Sequence, residues 1–361
     1  MTFNERRGRG MQHKLVIVGF GGMGGWHYEN ITARIKDIEV VGVYDIRPEV
    51  EERASELGLR WYTSLEEVLQ DSEIDMVTIA TPNNVHKDIA IQCLRHGKNV
   101  VCEKPVTMNA KELEEIIAVR DETGKVFSVH QNRRWDKDYA IVKRIVEDNT
   151  IGKVTMIESR VQGSRRAMHG WRAFKMNGGG MLLDWGVHLI DQLLCMIEVP
   201  LTGIYADLQS NYSEEVDDNI KIMLKFENKV SAIVEVATNC FINQARWHVI
   251  GEEGTAVVED WSCTGKIVKL STEEDMEWAE TIVYTEAGPT RTMAPRPSET
   301  TCTLPLPEVH TEWTDYYKNI VAVIDQKEEL IVKPEQCLRA MKVIDAIFES
   351  AEKNTSIECC I

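Results

Sequence analysis

Two residues four apart on one predicted helix, Asp184 and His188, are the first candidates for chemistry in this chain. The stretch from Gly178 to Asp191 reads Gly-Gly-Gly-Met-Leu-Leu-Asp-Trp-Gly-Val-His-Leu-Ile-Asp. A helix launched by the glycines puts the carboxylate and the imidazole on one face, within reach of each other. Such a pair can move a proton, or it can be a helix-surface ion pair worth under about 1 kcal/mol. The glycine run, bare of side chains, reads as a mobile entry that lets a ligand approach closely. Leu183, Val187, Ile190 and Leu194 make an apolar stripe beside the polar one of Asp184, His188 and Asp191. No third metal ligand stands out there, and no metal is expected. A further candidate, Lys104, follows the apolar run Val100–Cys102 and sits between Glu103 and Pro105. A lysine at a strand end beside proline is placed rather than floppy; the other reading is a surface pair with Glu103.

The elements that must position these groups begin with a βα alternation. Apolar runs Leu15–Val18, Val40–Tyr44, Met76–Ala80, Val100–Cys102 and Val126–His130 are separated by amphipathic stretches such as Asn84–His96 and Asn109–Thr123. That alternation predicts a doubly wound parallel sheet. The first strand runs into Gly19-Phe20-Gly21-Gly22-Met23-Gly24, a Gly-x-Gly-x-x-Gly turn before a helix. Such a turn lets a pyrophosphate reach backbone N–H groups at the helix N-terminus. Asp45 ends the second strand about 20 residues after the last glycine, where a carboxylate accepts from the adenosine ribose hydroxyls and repels a 2′-phosphate. NAD is therefore expected rather than NADP, with Ile46 in the same turn and Arg47 the neighbour able to tolerate a phosphate. Thr81, Pro82, Asn83 and His86 follow a later strand at its carboxyl end, where ligands bind in such sheets. They are read as cofactor contacts, as is Glu103 with Lys104; capping of the next helix by Asn83 or Asn84 is the alternative.

At 361 residues the chain is long enough for two domains. The expected division is an N-terminal arm at 1–12, a nucleotide-binding domain at 13–134, and a substrate-binding and oligomerisation domain at 135–361. The final helix is expected to pack back on the first domain. A formal charge of -17 argues against a nucleic-acid partner. No apolar run approaches the roughly 20 residues of a membrane span. The basic first ten residues precede only a short apolar run, so no secretory signal is expected and Met11 is an alternative start. Nine scattered cysteines, with no Cys-x-x-Cys, fit reduced thiols in a cytoplasm.

Beyond about residue 150 the pattern changes. Lys153–Gln162, Gly203–Gln209, Asn219–Phe226, Val230–Thr238, Arg246–Gly251 and Thr255–Glu259 read as a meander with one buried face. Glu308–Asp325 and Pro334–Glu352 read as closing helices, the second with a core stripe of Leu338, Met341, Ile344 and Phe348. The proline- and threonine-rich stretch Glu286–Leu306 is expected to be a long loop, as a lid or subunit contact. Ahead of the glycine run, His169, Trp171 and Arg172 offer an aromatic face and donors suited to a polyol. A basic loop resting on an acidic protein is the other reading.

Taken together, the glycine turn, Ala80-Thr81-Pro82-Asn83, Glu103-Lys104-Pro105 and the Gly178…Asp184…His188…Asp191 stretch resemble the Gfo/Idh/MocA oxidoreductase family over nearly the whole chain. The resemblance implies a Rossmann domain followed by an α+β domain with a large, mostly antiparallel open sheet, which often mediates dimers or tetramers. It implies NAD, in some members tightly bound, and it places Lys104, Asp184 and His188 against nicotinamide and substrate. Asn132 and Arg133, after the last Rossmann strand, become cofactor contacts, and Arg133 a substrate contact as well. The expected reaction takes hydride from a carbinol carbon while Lys104 or His188 takes the hydroxyl proton and Asp184 orients His188 or a second hydroxyl. The Trp171-Arg172 loop looks like that of members oxidising the C3 hydroxyl of glucose units, including those that start C-glycoside degradation. The alternatives are an inositol dehydrogenase, an NAD-dependent glycosidase with a recycled cofactor, and a sugar sensor, against which the retained Lys104, Asp184 and His188 count.

Overall fold

Uninterrupted apolar runs make strands that are buried on both faces, and here they form the nucleotide-binding sheet. The computed structural model describes residues 12–272, 282–291 and 296–361. Strands β1 (His13–Val18), β2 (Ile38–Tyr44), β3 (Arg60–Tyr62), β4 (Met76–Ile79), β5 (Asn99–Cys102) and β6 (Phe127–Val129) pair in parallel in the order β3-β2-β1-β4-β5-β6. Between them run α1 (Gly22–Arg34), α2 (Val50–Glu56), α3 (Leu65–Gln70), α4 (His86–Arg95) and α5 (Ala110–Thr123). Strand β3 was not among the expected runs, since three residues are too few to show a pattern. The order reverses between β1 and β4, which opens a crevice at the carboxyl ends of both.

The rest of the chain builds a second sheet. After α6 (Lys137–Glu147) and β7 (Val154–Gln162), a π-helical turn at Leu182–Gly186 runs straight into α7 (Val187–Met196). Strands β8 (Leu201–Gln209), β9 (Asn219–Phe226), β10 (Ser231–Ala237), β11 (Trp247–Gly251), β12 (Gly254–Val258) and β13 (Gly265–Leu270) follow. A hairpin of β14 (Ile282–Thr285) and β15 (Gly288–Arg291) precedes β16 (Thr301–Leu304), α8 (Thr314–Ile324), α9 (Pro334–Lys353) and β17 (Ile357–Glu358). The nine-stranded order is β16-β13-β12-β11-β7-β10-β9-β8-β17. One cross-strand row, Ile204, Leu224, Ala232, Ile157, Val249, Ala256 and Ile267, is buried throughout and defines the inner face.

Several expectations are corrected here. The sheet is not a simple meander: β7 slots between β10 and β11, parallel to the former and antiparallel to the latter. Residues 286–306 are not one loop, because β15 completes a hairpin and the threonine-rich β16 pairs with the edge of β13. Helix α8 starts at Thr314, six residues later than the polar run suggested. On α9 the core stripe includes Met341 and Ile344 but not Phe348, which is 36% exposed; Ile347 is buried instead. The expected arm at 1–12 lies, except for Gln12, outside the described residues.

Helix α9 bridges the two sheets. Asp345 accepts the Ala110 N–H at the first turn of α5 (2.9 Å), and Glu335 pairs with Arg120 (2.6 Å). On its other side Ser350 Oγ accepts the Ala206 N–H of β8 (3.0 Å). Among the described residues no helix is long and apolar enough to cross a membrane.

Candidate active site

The glycine turn is pressed against the protein on one side and open on the other. Gly19 leaves β1 at φ +91°, and a Cβ there would lie 2.7 Å from the Ala80 carbonyl oxygen. Gly22, the first residue of α1, has nothing within 4 Å of its would-be Cβ. A bare backbone at a helix N-terminus, facing open space at the crevice of the sheet, fits a dinucleotide pyrophosphate. Phe20 is buried, and Met23 lies half-buried in the first turn of α1.

Asp45 is held by its own turn. Its Oδ1 accepts Arg47 N–H (3.0 Å) and Arg47 Nε (2.9 Å), and its Oδ2 accepts Phe20 N–H (2.8 Å) and Arg47 Nη2 (2.9 Å). Those four bonds use the four acceptor positions of a carboxylate. Burial would push the Asp45 carboxyl up, but the Arg47 and Phe20 donors outweigh it and hold it below the usual carboxylate range. Ile46 beside it is 86% exposed.

The loop after β4 reaches the other domain. Asn83 caps no helix; its Nδ2 donates to the Gly178 carbonyl (2.7 Å), at the head of the glycine run. Thr81 and Pro82 are half-buried at the crevice beside Gly19. His86, read as a cofactor contact, is fully buried, with its ring nitrogens on the Thr81 (2.9 Å) and Pro105 (3.1 Å) carbonyls. It braces the two loops from behind.

The three glycines are packed rather than mobile, which corrects the reading of a free entry. A Cβ at Gly178 would lie 2.7 Å from Met108 Sδ, and one at Gly179 or Gly180 would collide with the Arg172 carbonyl or the Asp217 carboxylate. Asp217 itself accepts the Leu182 N–H (2.7 Å) as the π turn begins. Burial pushes its carboxyl up to about 6, against the pull of that bond.

This packing delivers Asp184 to Lys104. Lys104 Nζ lies 2.9 Å from the Asp184 carbonyl and 3.3 Å from its Oδ1, and Arg172 Nε donates to the same Oδ1 (3.2 Å). Burial would raise the Asp184 carboxyl, but the Lys104 and Arg172 cations hold it below the usual range. His188 makes no hydrogen bond to Asp184, and its Nδ1 is buried without a partner. Burial first, then the Lys104 and Arg133 charges, push its pKa well below that of a free imidazole, so His188 is neutral at pH 7. The apolar stripe of Leu183, Val187, Ile190 and Leu194 is buried, and burial extends to every residue from Val187 to Leu194. Asp191 forms a two-pronged pair with Arg134 (2.7 and 2.8 Å).

Glu103 lies beneath Lys104 in a closed hub. His27 Nε2 (2.8 Å) and His130 Nδ1 (2.9 Å) both donate to its Oε1, and the Lys104 N–H to its Oε2 (3.1 Å). Burial would raise its carboxyl, but the two histidines hold it well below the usual range. Tyr317 closes the chain on His27 Nδ1 (2.8 Å). The local sequence gave no sign of His27 or Tyr317.

Around the site stands a set of aromatic and cationic side chains. Arg133 lies over the Trp185 ring (4.1 Å to centroid) and beside Trp261 (5.4 Å), while Arg172 lies over Trp171 (4.4 Å). Asn132 is half-buried in the turn that carries Arg133, and His169 is exposed. Neither hydrogen-bonds Lys104, Asp184 or His188. Trp185 and Trp261 were not singled out by the sequence; Trp185 adjoins Asp184, whereas Trp261 enters from the distant β12–β13 turn.

A Rossmann crevice with an open glycine cradle, closed by a helix that brings a carboxylate onto a lysine and a neutral imidazole, defines a nucleotide-dependent oxidoreductase of two domains. A model of the oxidoreductase family with NAD-binding Rossmann fold (GFO_IDH_MocA) matches residues 13–131, and that of the GFO/IDH/MocA C-terminal domain matches 139–257. A crystal structure of an NAD-binding protein from Listeria innocua is 44% identical, with a TM-score of 0.90, covering 97% of this chain and 100% of that one. Among curated relatives, a scyllo-inositol 2-dehydrogenase (NADP(+)) of Bacillus subtilis is 26% identical, over 81% of both chains. The scyllo-inositol 2-dehydrogenase (NAD(+)) of the same organism is 28% identical over 69% of this chain and 75% of that one. The chain belongs to the GFO/IDH/MocA oxidoreductase family.

Proposed function

We propose that the protein oxidises a secondary hydroxyl of a sugar or glycoside, at C3 of a glucose unit, to a keto sugar. The observation that carries this reading is the contact of Lys104 with Asp184 beside a neutral, buried His188 at the crevice of the nucleotide sheet. Lys104 Nζ has three donor positions, and two are occupied by Asp184. The third is available to the reacting hydroxyl oxygen, whose negative charge it stabilises as the O–H bond breaks. His188 takes the proton. Asp184 keeps Lys104 aimed. Bound NAD supplies the acceptor for the hydride that leaves the carbinol carbon. Trp171, Trp185 and Trp261 offer faces for sugar C–H groups, and Arg133 and Arg172 offer donors to neighbouring hydroxyls.

Asp45 supports NAD, while the exposed Arg47 beside it leaves NADP as the competitor. The open face of the nine-stranded sheet supports a homo-oligomer. A second reading, oxidation of a cyclitol, is favoured by the inositol dehydrogenases among the relatives. The experiment is to incubate the purified protein with NAD or NADP and a panel of glucosides and inositols, and to identify products by mass and NMR. A 3-keto glucoside with stoichiometric NADH is the expected result. Oxidation of inositols alone would sink the glycoside reading, and free aglycone without net NADH would replace it with glycosidase chemistry.

A further inference from the structure

The spacing of Asp184 and His188 suggested that the acid orients the base, yet its Oδ1 is taken by Lys104 and Arg172 and the carboxylate makes no hydrogen bond to His188. His188 Nδ1 is buried and unpaired. One helical turn further on, Gln192 is fully buried, and its Nε2 donates to the Arg133 carbonyl (2.7 Å). That bond fixes the orientation of the amide and leaves Oε1 as a buried acceptor without a partner. Residues four apart are neighbours on a helix, so Gln192 shares the face of His188 one turn further on. A potential donor and an acceptor thus stand unpaired, one turn apart, behind the reacting groups.

We infer that Gln192 is the positioning residue of His188. Its Oε1 accepts the proton of Nδ1–H, directly or through one water, and fixes the tautomer in which Nε2 carries the lone pair. Hydrogen bonds of this kind often tighten only when ligands bind. The same amide holds the Arg133 carbonyl, so one side chain sets both the tautomer of the base and the loop that carries the stacked arginine.

The charged or titratable groups acting on His188 are Lys104 and Glu103 from the β5 exit and His130 and Arg133 from the β6 exit. Lys104 and Arg133 carry no acceptor, and Glu103 is already bonded by His27, His130 and the Lys104 N–H. Asp184 Oδ2 makes no hydrogen bond to His188, and two further buried acceptors without a partner among the described residues stand as rivals, His130 Nε2 and Gln131 Oε1 at the end of β6. Gln192 is preferred because it shares the helix of His188 at the facing position.

The kinetic consequence rests on the role proposed for His188, but the tautomer does not. The test is nitrogen NMR of the full chain with labelled histidine and bound NAD, the His188 signals being assigned with His188→Gln. Wild-type protein is expected to show a protonated Nδ1 and a bare Nε2. Gln192→Leu shifts the proton to Nε2 and lowers kcat/KM by ~10-fold or more, with NAD affinity within about twofold. Gln192→Glu keeps an acceptor, retains Nδ1–H and moves the acid limb of the kcat/KM profile to higher pH. A protonated Nε2 in wild type, or an unchanged tautomer in folded Gln192→Leu, overturns the inference. So does a tautomer shift in Gln131→Leu that Gln192→Leu lacks. If Gln192→Leu does not fold, the wild-type tautomer and the acid limb of Gln192→Glu decide. Failure to oxidise any polyol would remove the functional reading while the tautomer result stood.

Discussion

Lys104 Nζ is bonded to two oxygens of a single residue, the carbonyl (2.9 Å) and the carboxylate (3.3 Å) of Asp184. The lysine belongs to the loop after β5 and the acid to the π turn ahead of α7, so this one contact joins the nucleotide sheet to the second half of the fold. Both side chains are largely enclosed, which limits screening by solvent and fixes the ammonium in direction. His188 makes no hydrogen bond to the pair and is held neutral, chiefly by burial.

Removing either acid–base partner should separate chemistry from binding. Lys104→Ala and His188→Ala are each expected to lower turnover at least ~100-fold, the scale of general acid–base catalysis. NAD affinity, followed by fluorescence titration, should stay near wild type, because neither side chain belongs to the glycine cradle. Near-normal turnover in one variant would strip that residue of its role.

Cofactor choice should turn on Arg47. For Asp45 to accept ribose hydroxyls, the guanidinium must move off the carboxylate, since all four acceptor positions are in use. Arg47→Ala frees two of them and removes the cation that would meet a 2′-phosphate. The ratio of NADP to NAD affinity is expected to fall by ~10-fold or more, in line with about 1.5–3 kcal/mol for a hydrogen bond to a charged group. Titration with NADH and NADPH gives that ratio directly, and no change in it would detach Arg47 from the selection.

Asp217 should make stability depend on pH in an unusual direction for an acid. Its folded-state pKa is raised from 3.8 to about 6 by burial. Its contribution is fully present below the unfolded value and is lost as pH rises through the folded one. Between those values the loss amounts to roughly 3 kcal/mol, at 1.36 kcal/mol per unit. Asp217→Asn can still accept from Leu182 and carries no charge. Urea melts should show the variant gaining on wild type between pH 4 and 7; parallel pH curves would count against a buried, ionising Asp217.

Arg134 and Asp191 offer a double-mutant cycle. The pair is almost fully enclosed, with side chains 8% and 3% exposed. Arg134→Met alone leaves a buried carboxylate unpaired and should cost about 3–5 kcal/mol, whereas Arg134→Met with Asp191→Leu should recover most of it. Additive losses in denaturant unfolding would mean the two charges are not coupled.

Local patterns revealed the parts of this protein whose physics is local. Alternation of apolar runs found five of six Rossmann strands, and the glycine turn with Asp45 found the cradle, because each depends on residues near one another in the chain. The Asp184–His188 spacing pointed to the helix that meets Lys104, but the two residues do not hydrogen-bond each other. What redirects Asp184 is Lys104, 80 residues away, and what makes the glycines indispensable is contact with Met108, Arg172 and Asp217. Trp261 and the insertion of β7 between β10 and β11 are likewise decided by pairing across the sheet, which no short window of sequence carries.

The placement of α9 has a consequence for how the protein is made. The helix docks along α5 and β6, yet it is synthesised more than 200 residues after them. At about 5–20 residues per second, the flank of the nucleotide domain waits for its cover for on the order of 10–40 s. Throughout that interval the ribosome holds a chain whose oldest domain is unfinished, although every residue of its own sheet has already emerged. Until α9 arrives, the faces of α5 and β6 that it covers stay open to solvent.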